Sequence, residues 1–576
     1  MMLPVDYETH NVDVLVIGSG GAGMRAALAA LDKKQSVIIL SKSVLGKAHT
    51  VMAEGGIAAA VANVDSKDNW KVHFSDTVIE GDYIGSWRMA EILAKEAPDA
   101  VYELERFGAL FDRTPDGKIM QRAFGAHTYR RLCHVGDKTG LEIIRTLEDR
   151  ILHKNAKVFD EIVVTKLFKS NNKISGALGL HMRTGKFSLF KAKSIIIATG
   201  GLGRIYKVTS NSWESTGDGI ALALKVGAEL RDMEMVQFHP TGMVWPHGVR
   251  GLLVTEGVRG EGGILYNNKN ERFMLKYSPT KKELDARDVV ARSIYYEIQK
   301  GNGTEHGGVY LDITHKGADF IKKKLPGMYT QFLEFAGVDI TKERMEVAPT
   351  VHYFMGGIYV DSENCNTNIN GLYAAGECTG GLHGANRLGG NSLADILVFG
   401  KRAGDAAAIY AINNRAVEID SNEVNDEIKR INDYLNDKTN LNPYDVVDKL
   451  RTSLQEKLGI IRNEKDMKEC LLDVLKIKKM CQKVSVKGGL AFNQGLIECI
   501  ELDNMTLLAE CMVRSAIERK ESRGAHTRSD FPKKDKRWKK NIVSKIQNNK
   551  IELSYSEITK MPKELQKIVG EEKYDK

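Results

Sequence analysis

"VDVLVIGSGGAGMRAALAALDKKQSVIILSK", residues 12–42, is the stretch that decides the fold. Val12 to Ile17 is a short apolar run ending in glycine, as in a strand buried within a parallel sheet. Met24 to Leu31 is rich in Ala and Leu and favours helix, and Val37 to Leu40 reads as a second strand. The whole is one βαβ unit of about thirty residues. Between strand and helix, Gly18-Ser19-Gly20-Gly21-Ala22-Gly23 fits G-x-G-x-x-G. The first glycine permits the turn, the second lets backbone approach a pyrophosphate, and the third lets helix and strand pack closely. The helix N-terminus then offers free N–H groups and partial positive charge to phosphates. In this context the pattern indicates a dinucleotide site but does not separate NAD from FAD. Ser41 and Lys42 stand where an acidic ribose ligand usually follows the second strand, which weakens NAD.

Two more strand-to-glycine transitions lie far downstream, "SIIIATGG" (194–201) and "GLYAAGECTGG" (371–381). Their separation implies one nucleotide domain interrupted by an insertion, whose best limits are Gln237 and Pro349. The expected organisation is α/β: a Rossmann-like FAD-binding domain (1–236 and 350–403) interrupted by a mobile α+β capping domain (237–349). A helical domain (404–520) and a basic C-terminal region (521–576) follow. Residues 404–520 carry helical spacing with few glycines.

Composition bounds the function classes. The chain has 576 residues, 42% apolar and 27% charged, as in a multidomain globular protein. Its net charge of +8 is modest for the length and leaves no dense basic stripe for nucleic acid. The excess is partly local: "FPKKDKRWKKN" (531–541) has six Lys or Arg, read first as a solvated surface and second as a dock for an acidic partner or anionic lipid. No apolar run is long enough to span a bilayer, and "MMLPVDYETHNVDVLVIG" lacks the basic start of a secretory signal. Seven scattered cysteines without C-x-x-C point to a reducing cytoplasm and against an iron–sulfur cluster in this chain.

"AAGECTGGLHGANRLGGNSLADILVFG" (374–400) is a second cradle of small residues leading into a helix. Its N-terminus suits the pyrimidine side of a flavin, where negative charge gathers on reduction. At these residues the chain resembles the flavoprotein subunits of succinate dehydrogenase and fumarate reductase. The matching pieces include "GSGGAGMRAAL", "AHTVMAEGGIAAA", "ATGGLGRIY", "TGDGIALA", "MVQFHPTG", "LLVTEGVRGEGGIL", "ARDVVARSI", "VHYFMGGI", "GANRLGGNSLADILVFG" and "ESRGAH". They occur in the family's order across residues 12–526.

The resemblance implies FAD bound covalently through His49. A flavin tethered to an electron-poor imidazole is a strong oxidant, which an unactivated C–H bond requires. It implies further FAD contacts at Gly18, Ser19, Gly20, Gly21, Ala22, Gly23, Ser41, Lys42, Thr50, Glu54, Gly55, Gly56, Asp218, Glu377, Ser392 and Leu393. Asp218 and Glu377 have the chemistry for ribose or ribityl hydroxyls. It places substrate on His239, Thr255, His352 and Arg387, with Phe124 packed nearby. An arginine forks two N–H groups onto one carboxylate, and His239 and Thr255 hold the other end. Arg287 matches the family's proton-transfer residue, with Glu256 and Arg259 as relay partners. No metal ligand is expected.

The implied activity is interconversion of succinate and fumarate. The implied partners are an iron–sulfur subunit, then a membrane anchor or another acceptor, which would hold the protein peripherally at the cytoplasmic face of the cell membrane. L-Aspartate oxidase shares most of the motifs but usually lacks a histidine at position 49. The pattern is also open to a thiol-linked fumarate reductase and to a flavin electron carrier without chemistry of its own. The segment "HPTGMVWPHGVRGLLVTEG" (239–257) departs from the family in length, and the C-terminal region in basicity.

Overall fold

The computed structural model describes residues 7–436 and 441–574, so part of the amino-terminal reading lies outside the described residues. Strand β1 (Tyr7–Ile17), helix α1 (Gly21–Asp32) and strand β2 (Val37–Leu40) form the expected βαβ unit. β1 starts five residues before its apolar run, because backbone pairing with Phe187–Lys191 carries its polar first half. Val14, Leu15 and Val16 are fully buried, as a strand covered on both faces requires.

The sheet runs in the order Lys157–Phe159, β2, β1, Phe187–Ile197, Lys173–His181, Ile162–Ser170. The end of Phe187–Ile197 also pairs in parallel with Leu372–Ala374. Ile17, Leu40, Ile197 and Ala374 stand in register at the carboxyl edge, so the three glycine turns, far apart in sequence, open onto one crevice. Ligands of open α/β sheets bind outside this edge.

Four antiparallel strands form the cap, in the order Val236–Met243, Met345–Phe354, Val309–Asp312, Ile264–Tyr266. Helix Arg287–Glu297 packs on this sheet. The cap has an apolar core of its own, including Met243, Val258, Leu265, Ile294, Leu311 and Val347. The expected limits at 237 and 349 fall within Val236–Met243 and Met345–Phe354, which continue from one unit into the other. Likewise the limit at 404 falls inside helix Asn391–Asn413, which lies along α1. Helices Pro443–Lys457, Glu464–Cys481 and Gln494–Glu518 form the expected helical domain, the last packing on Asp218–Val226.

The basic stretch 531–541 is in part the solvated surface expected of it, with Lys533, Lys536 and Arg537 exposed, but the C-terminal region around it is folded onto the rest of the chain. A hairpin, Lys540–Gln547 and Lys550–Glu557, adds to Leu230–Arg231, and helix Lys563–Val569 packs on helix Trp70–Glu80. Lys534 pairs with Asp82, Lys539 with Glu572 at 3.0 Å, and Lys540 lies 3.7 Å from the centre of the Tyr555 ring. The buried Arg519 and Arg523 are matched by Glu234 and Glu521. Among the described residues, no helix is long and apolar enough to cross a membrane.

Candidate active site

A cleft of about 1690 Å³, partly continuous with solvent, opens at the carboxyl edge of the sheet and runs beneath the cap. Its first wall is the glycine turn. Gly18 has φ +116°, and a Cβ there would fall 2.2 Å from the Ala198 carbonyl oxygen; on Gly23 it would fall 1.9 Å from the Gly18 oxygen. Gly23 therefore lies beneath the cleft and sets the contact between helix and turn, while Gly18, Ser19, Gly20, Gly21 and Ala22 line the cleft itself. The N-cap residue of α1, Gly20, has no side chain to cap the helix, so the first-turn N–H groups after Gly21 are left for an anion. Thr50 accepts the Gly21 N–H at 3.4 Å, and the Ser19 and Ser41 hydroxyls meet at 2.7 Å.

Lys42 and Asp218 also line the cleft, but their charged ends are committed to one another. Lys42 Nζ lies 2.7 Å from Asp218 and 2.5 Å from Glu501 of the helical domain, and donates to Thr216 at 2.8 Å. Burial opposes the charge on Lys42, yet the two carboxylates hold its pKa above the ordinary value. Burial pushes Glu501 up to about 7 despite Lys42. Sequence reasoning missed Glu501, which sits about 460 residues away in a helix with no motif.

His49 opens a 3-10 turn, His49–Met52. Its Nδ1 accepts the Ser212 N–H at 3.3 Å, which orients Nε2 as the other ring nitrogen. Burial, reinforced by Arg387, lowers it to about 4, so the ring is neutral near pH 7. Glu54, Gly55 and Gly56 follow along the same wall. Burial and Asp137 push the Glu54 carboxyl well above the ordinary range. Opposite, Glu377 accepts the Phe354 N–H at 3.1 Å, and burial raises it to about 7. Ser392 and Leu393 project from the N-terminus of helix Asn391–Asn413.

Beyond His49 the cleft becomes cationic. Arg387 donates to Ser392 at 3.1 Å, and its guanidinium lies 4.4 Å from the centre of the Tyr353 ring. Arg287 Nε donates to Glu256 at 2.8 Å. Burial alone would raise Glu256; Arg287 and Arg259 outweigh it and bring it to about 2. Arg259 stands 3.8 Å from the same carboxylate oxygen and behind it, outside the cleft wall. His239 and His352 face each other with ring centres 5.0 Å apart. His239 Nδ1 contacts the Thr241 carbonyl at 2.9 Å, and His352 Nδ1 contacts the Ser210 hydroxyl at 2.9 Å. Burial holds both imidazoles well below their ordinary pKa, with Arg287 adding to it. Thr255 and Phe124 complete the wall. All the residues read from the sequence thus converge on this cleft or directly support it. Gln237, which joins the two arginines, was missed: a lone amide carries no motif of its own.

The residues present fit a flavin dinucleotide. A glycine cradle faces an uncapped helix, and Thr199 Oγ1, Ser212 Oγ, Glu214 Oε2 and Glu54 Oε2 are buried around the cleft without a hydrogen-bond partner among the described residues. Such orphaned groups are expected where a polar ligand belongs. The class is therefore that of a FAD-dependent oxidoreductase with a cationic substrate chamber. The comparisons agree: the FAD binding domain family matches residues 13–393, and the fumarate reductase flavoprotein C-terminal family matches 447–569. The chain is 46% identical over 540 residues to a subunit of the fumarate reductase (CoM/CoB) of Methanothermobacter marburgensis, covering 94% of this chain and 98% of the relative. It is 40% identical to the succinate dehydrogenase flavoprotein subunit of Coxiella burnetii, over 93% and 94% of the two chains. The E. coli quinol fumarate reductase FrdA structure superposes with TM-score 0.92 at 35% identity, over 96% and 98% of the two chains. The chain belongs to the succinate dehydrogenase/fumarate reductase flavoprotein family and uses FAD.

Proposed function

We propose that this chain interconverts succinate and fumarate on FAD carried by His49, with a dicarboxylate clamped between Arg387 and the His239–Thr255 end of the chamber. The observation that carries the reading is the pair of buried guanidiniums, Arg287 and Arg387, facing one chamber beside two neutral histidines. Bound FAD supplies the two-electron acceptor or donor for the hydride. Arg387 forks onto one carboxylate, and its contact with Ser392 fixes the fork. His239 and Thr255 hold the far carboxylate, His352 supports it, and Phe124 closes the wall against water. The Ser212 N–H on His49 Nδ1 leaves Nε2 as the nitrogen for a bond to the flavin.

Two nitrogens of Arg287 are occupied, Nε by Glu256 and Nη1 by Gln237, and the third remains for the substrate carbon. In the reducing direction Arg287 donates a proton to that carbon. A proton arriving past Arg259 reaches Glu256 as Arg287 loses its own, so no charge is isolated. In the oxidising direction the same path carries the proton outward.

Electrons then pass to a partner subunit, for which we propose an iron–sulfur protein, with a membrane anchor or another acceptor beyond it. The support is that the relatives are themselves named subunits. The chain would sit at the cytoplasmic face of the cell membrane through those partners. One observation favours a second reading, a fumarate reductase supplied by CoM and CoB: the 46% relative carries that name.

The test is Arg287→Ala with FAD retained. Turnover with an artificial dye should fall at least about hundredfold, the lower end for losing a positioned acid–base group. Undiminished succinate oxidation or fumarate reduction would reject the assignment.

A further inference from the structure

The two substrate arginines are joined through one atom. Gln237 Oε1 accepts from Arg287 Nη1 and from Arg387 Nη2, both at 3.2 Å. Arg287 opens a cap helix, whereas Arg387 belongs to the loop before helix Asn391–Asn413. The amide nitrogen of Gln237 donates to Asn386 Oδ1 at 2.6 Å and to the Arg387 carbonyl at 2.8 Å. Asn386 Nδ2 in turn donates to Glu80 Oε1 at 2.7 Å and Asp288 Oδ1 at 2.9 Å. Gln237 is fully buried and Asn386 nearly so.

An amide has one accepting end and one donating end, whereas an ionised carboxylate only accepts and a guanidinium only donates. Asp288 is held by Arg292 at 2.7 Å, which keeps an accepting oxygen toward Asn386. The Asn386 NH2 must then face the acids, so its oxygen faces Gln237, and the Gln237 oxygen faces the arginines. Reversing either amide would oppose donor to donor inside the protein. Asp288, with Glu80 as a second acceptor for Asn386, lies outside the chamber wall, yet it sets which end of Gln237 faces the arginines.

We propose that Gln237 is a positioning residue that spaces the two guanidiniums for a dicarboxylate, and that Glu80 and Asp288 orient it through Asn386. The inference rests on the dicarboxylate reading above. The chain of bonds also crosses between cap and FAD-binding domain twice, at Gln237 with Asn386 and Arg387 and at Asn386 with Asp288. The spacing is therefore kept only with the cap seated.

The test uses the FAD-loaded full chain and malonate, a dicarboxylate that cannot be oxidised, titrated by the change in flavin absorbance. Gln237→Met keeps the side-chain length and removes both hydrogen-bonding ends. Its malonate Kd should rise at least about tenfold, equal to about 1.4 kcal/mol. Glu80→Gln, Asp288→Asn and the double variant keep side-chain size and leave the chamber lining intact while removing the acceptor-only group that orients Asn386; the double variant should raise the Kd at least about threefold. A purely structural role would lower the unfolding temperature and leave the Kd of the folded, FAD-loaded fraction unchanged. Malonate binding within about twofold of wild type in Gln237→Met overturns the proposal. If that variant does not load FAD, an unchanged Kd in the double variant overturns it equally. Wild-type protein that binds FAD but no dicarboxylate would instead overturn the reading on which the proposal rests.

Discussion

Glu256→Gln removes the one ionised carboxylate between two buried guanidiniums while leaving the side-chain shape. Glu256 is 2% exposed, with Arg287 at 2.8 Å and Arg259 at 3.8 Å from the same oxygen. Its second oxygen accepts the Gly125 N–H at 2.7 Å. A glutamine keeps only one accepting oxygen, so its NH2 must face either a guanidinium or that N–H. Lowering the carboxyl from 4.5 to about 2 is equivalent to about 3 kcal/mol in favour of its ionised form. This agrees with the cost of about 3–5 kcal/mol for breaking a buried ion pair by removing one partner. The folded pKa lies below the unfolded one. The contribution is therefore complete above pH 4.5 and lost as the pH falls from 4.5 through about 2. Urea unfolding of wild type and variant should differ by about 3 kcal/mol at pH 7, stay constant down to about pH 5 and converge below that. Dye-linked turnover at pH 7 should fall about 10²- to 10⁴-fold if Glu256 carries the proposed proton path. A stability difference that does not shrink in acid would refute the charge argument. Turnover within about threefold of wild type would refute the relay.

His49→Ala should move the flavin from the pellet to the supernatant after acid precipitation, read by fluorescence; wild-type flavin already in the supernatant would refute the tether. Lys42→Met leaves Asp218 and Glu501 buried and facing each other without their shared cation. It should cost about 3–5 kcal/mol in the unfolding free energy of the FAD-free chain. A change below about 1 kcal/mol would show that the cluster is solvated.

What the sequence revealed was what is local. The unit from Val12 to Lys42 was legible because strand, glycine turn and helix follow one another, and each has its own signature. The chamber was legible through motifs, since His239, Thr255, Arg287, His352 and Arg387 each sit in a short recognisable string. In the basic stretch 531–541, Lys533, Lys536 and Arg537 are solvent-exposed as expected, but Lys534 is balanced at long range, meeting Asp82 about 450 residues earlier. A run of lysines looks solvated until the carboxylates that face it are known. Glu501 was hidden for the same reason, and Gln237 and Asn386 because amides neither titrate nor space themselves in recognisable ways.

The charges of the chamber limit what it can hold. Arg259, Arg287 and Arg387 bring three positive charges into a buried volume, and Glu256 returns one negative. Burial holds His239 and His352 well below their ordinary value, and burial with Asp137 pushes the Glu54 carboxyl well above its own. Gln237 separates two of the guanidiniums with a neutral oxygen and supplies no charge. Among these four groups positive charge exceeds negative by two, and burial and Arg287 together pull Arg387 below its ordinary value. Buried charge of that kind is tolerated where a ligand supplies the balance. A dianion brings the set to neutrality, and a monocarboxylate does not. Under the proposed function, a bound dianion would offset that excess and let a proton move along Arg287, Glu256 and Arg259 without isolating charge.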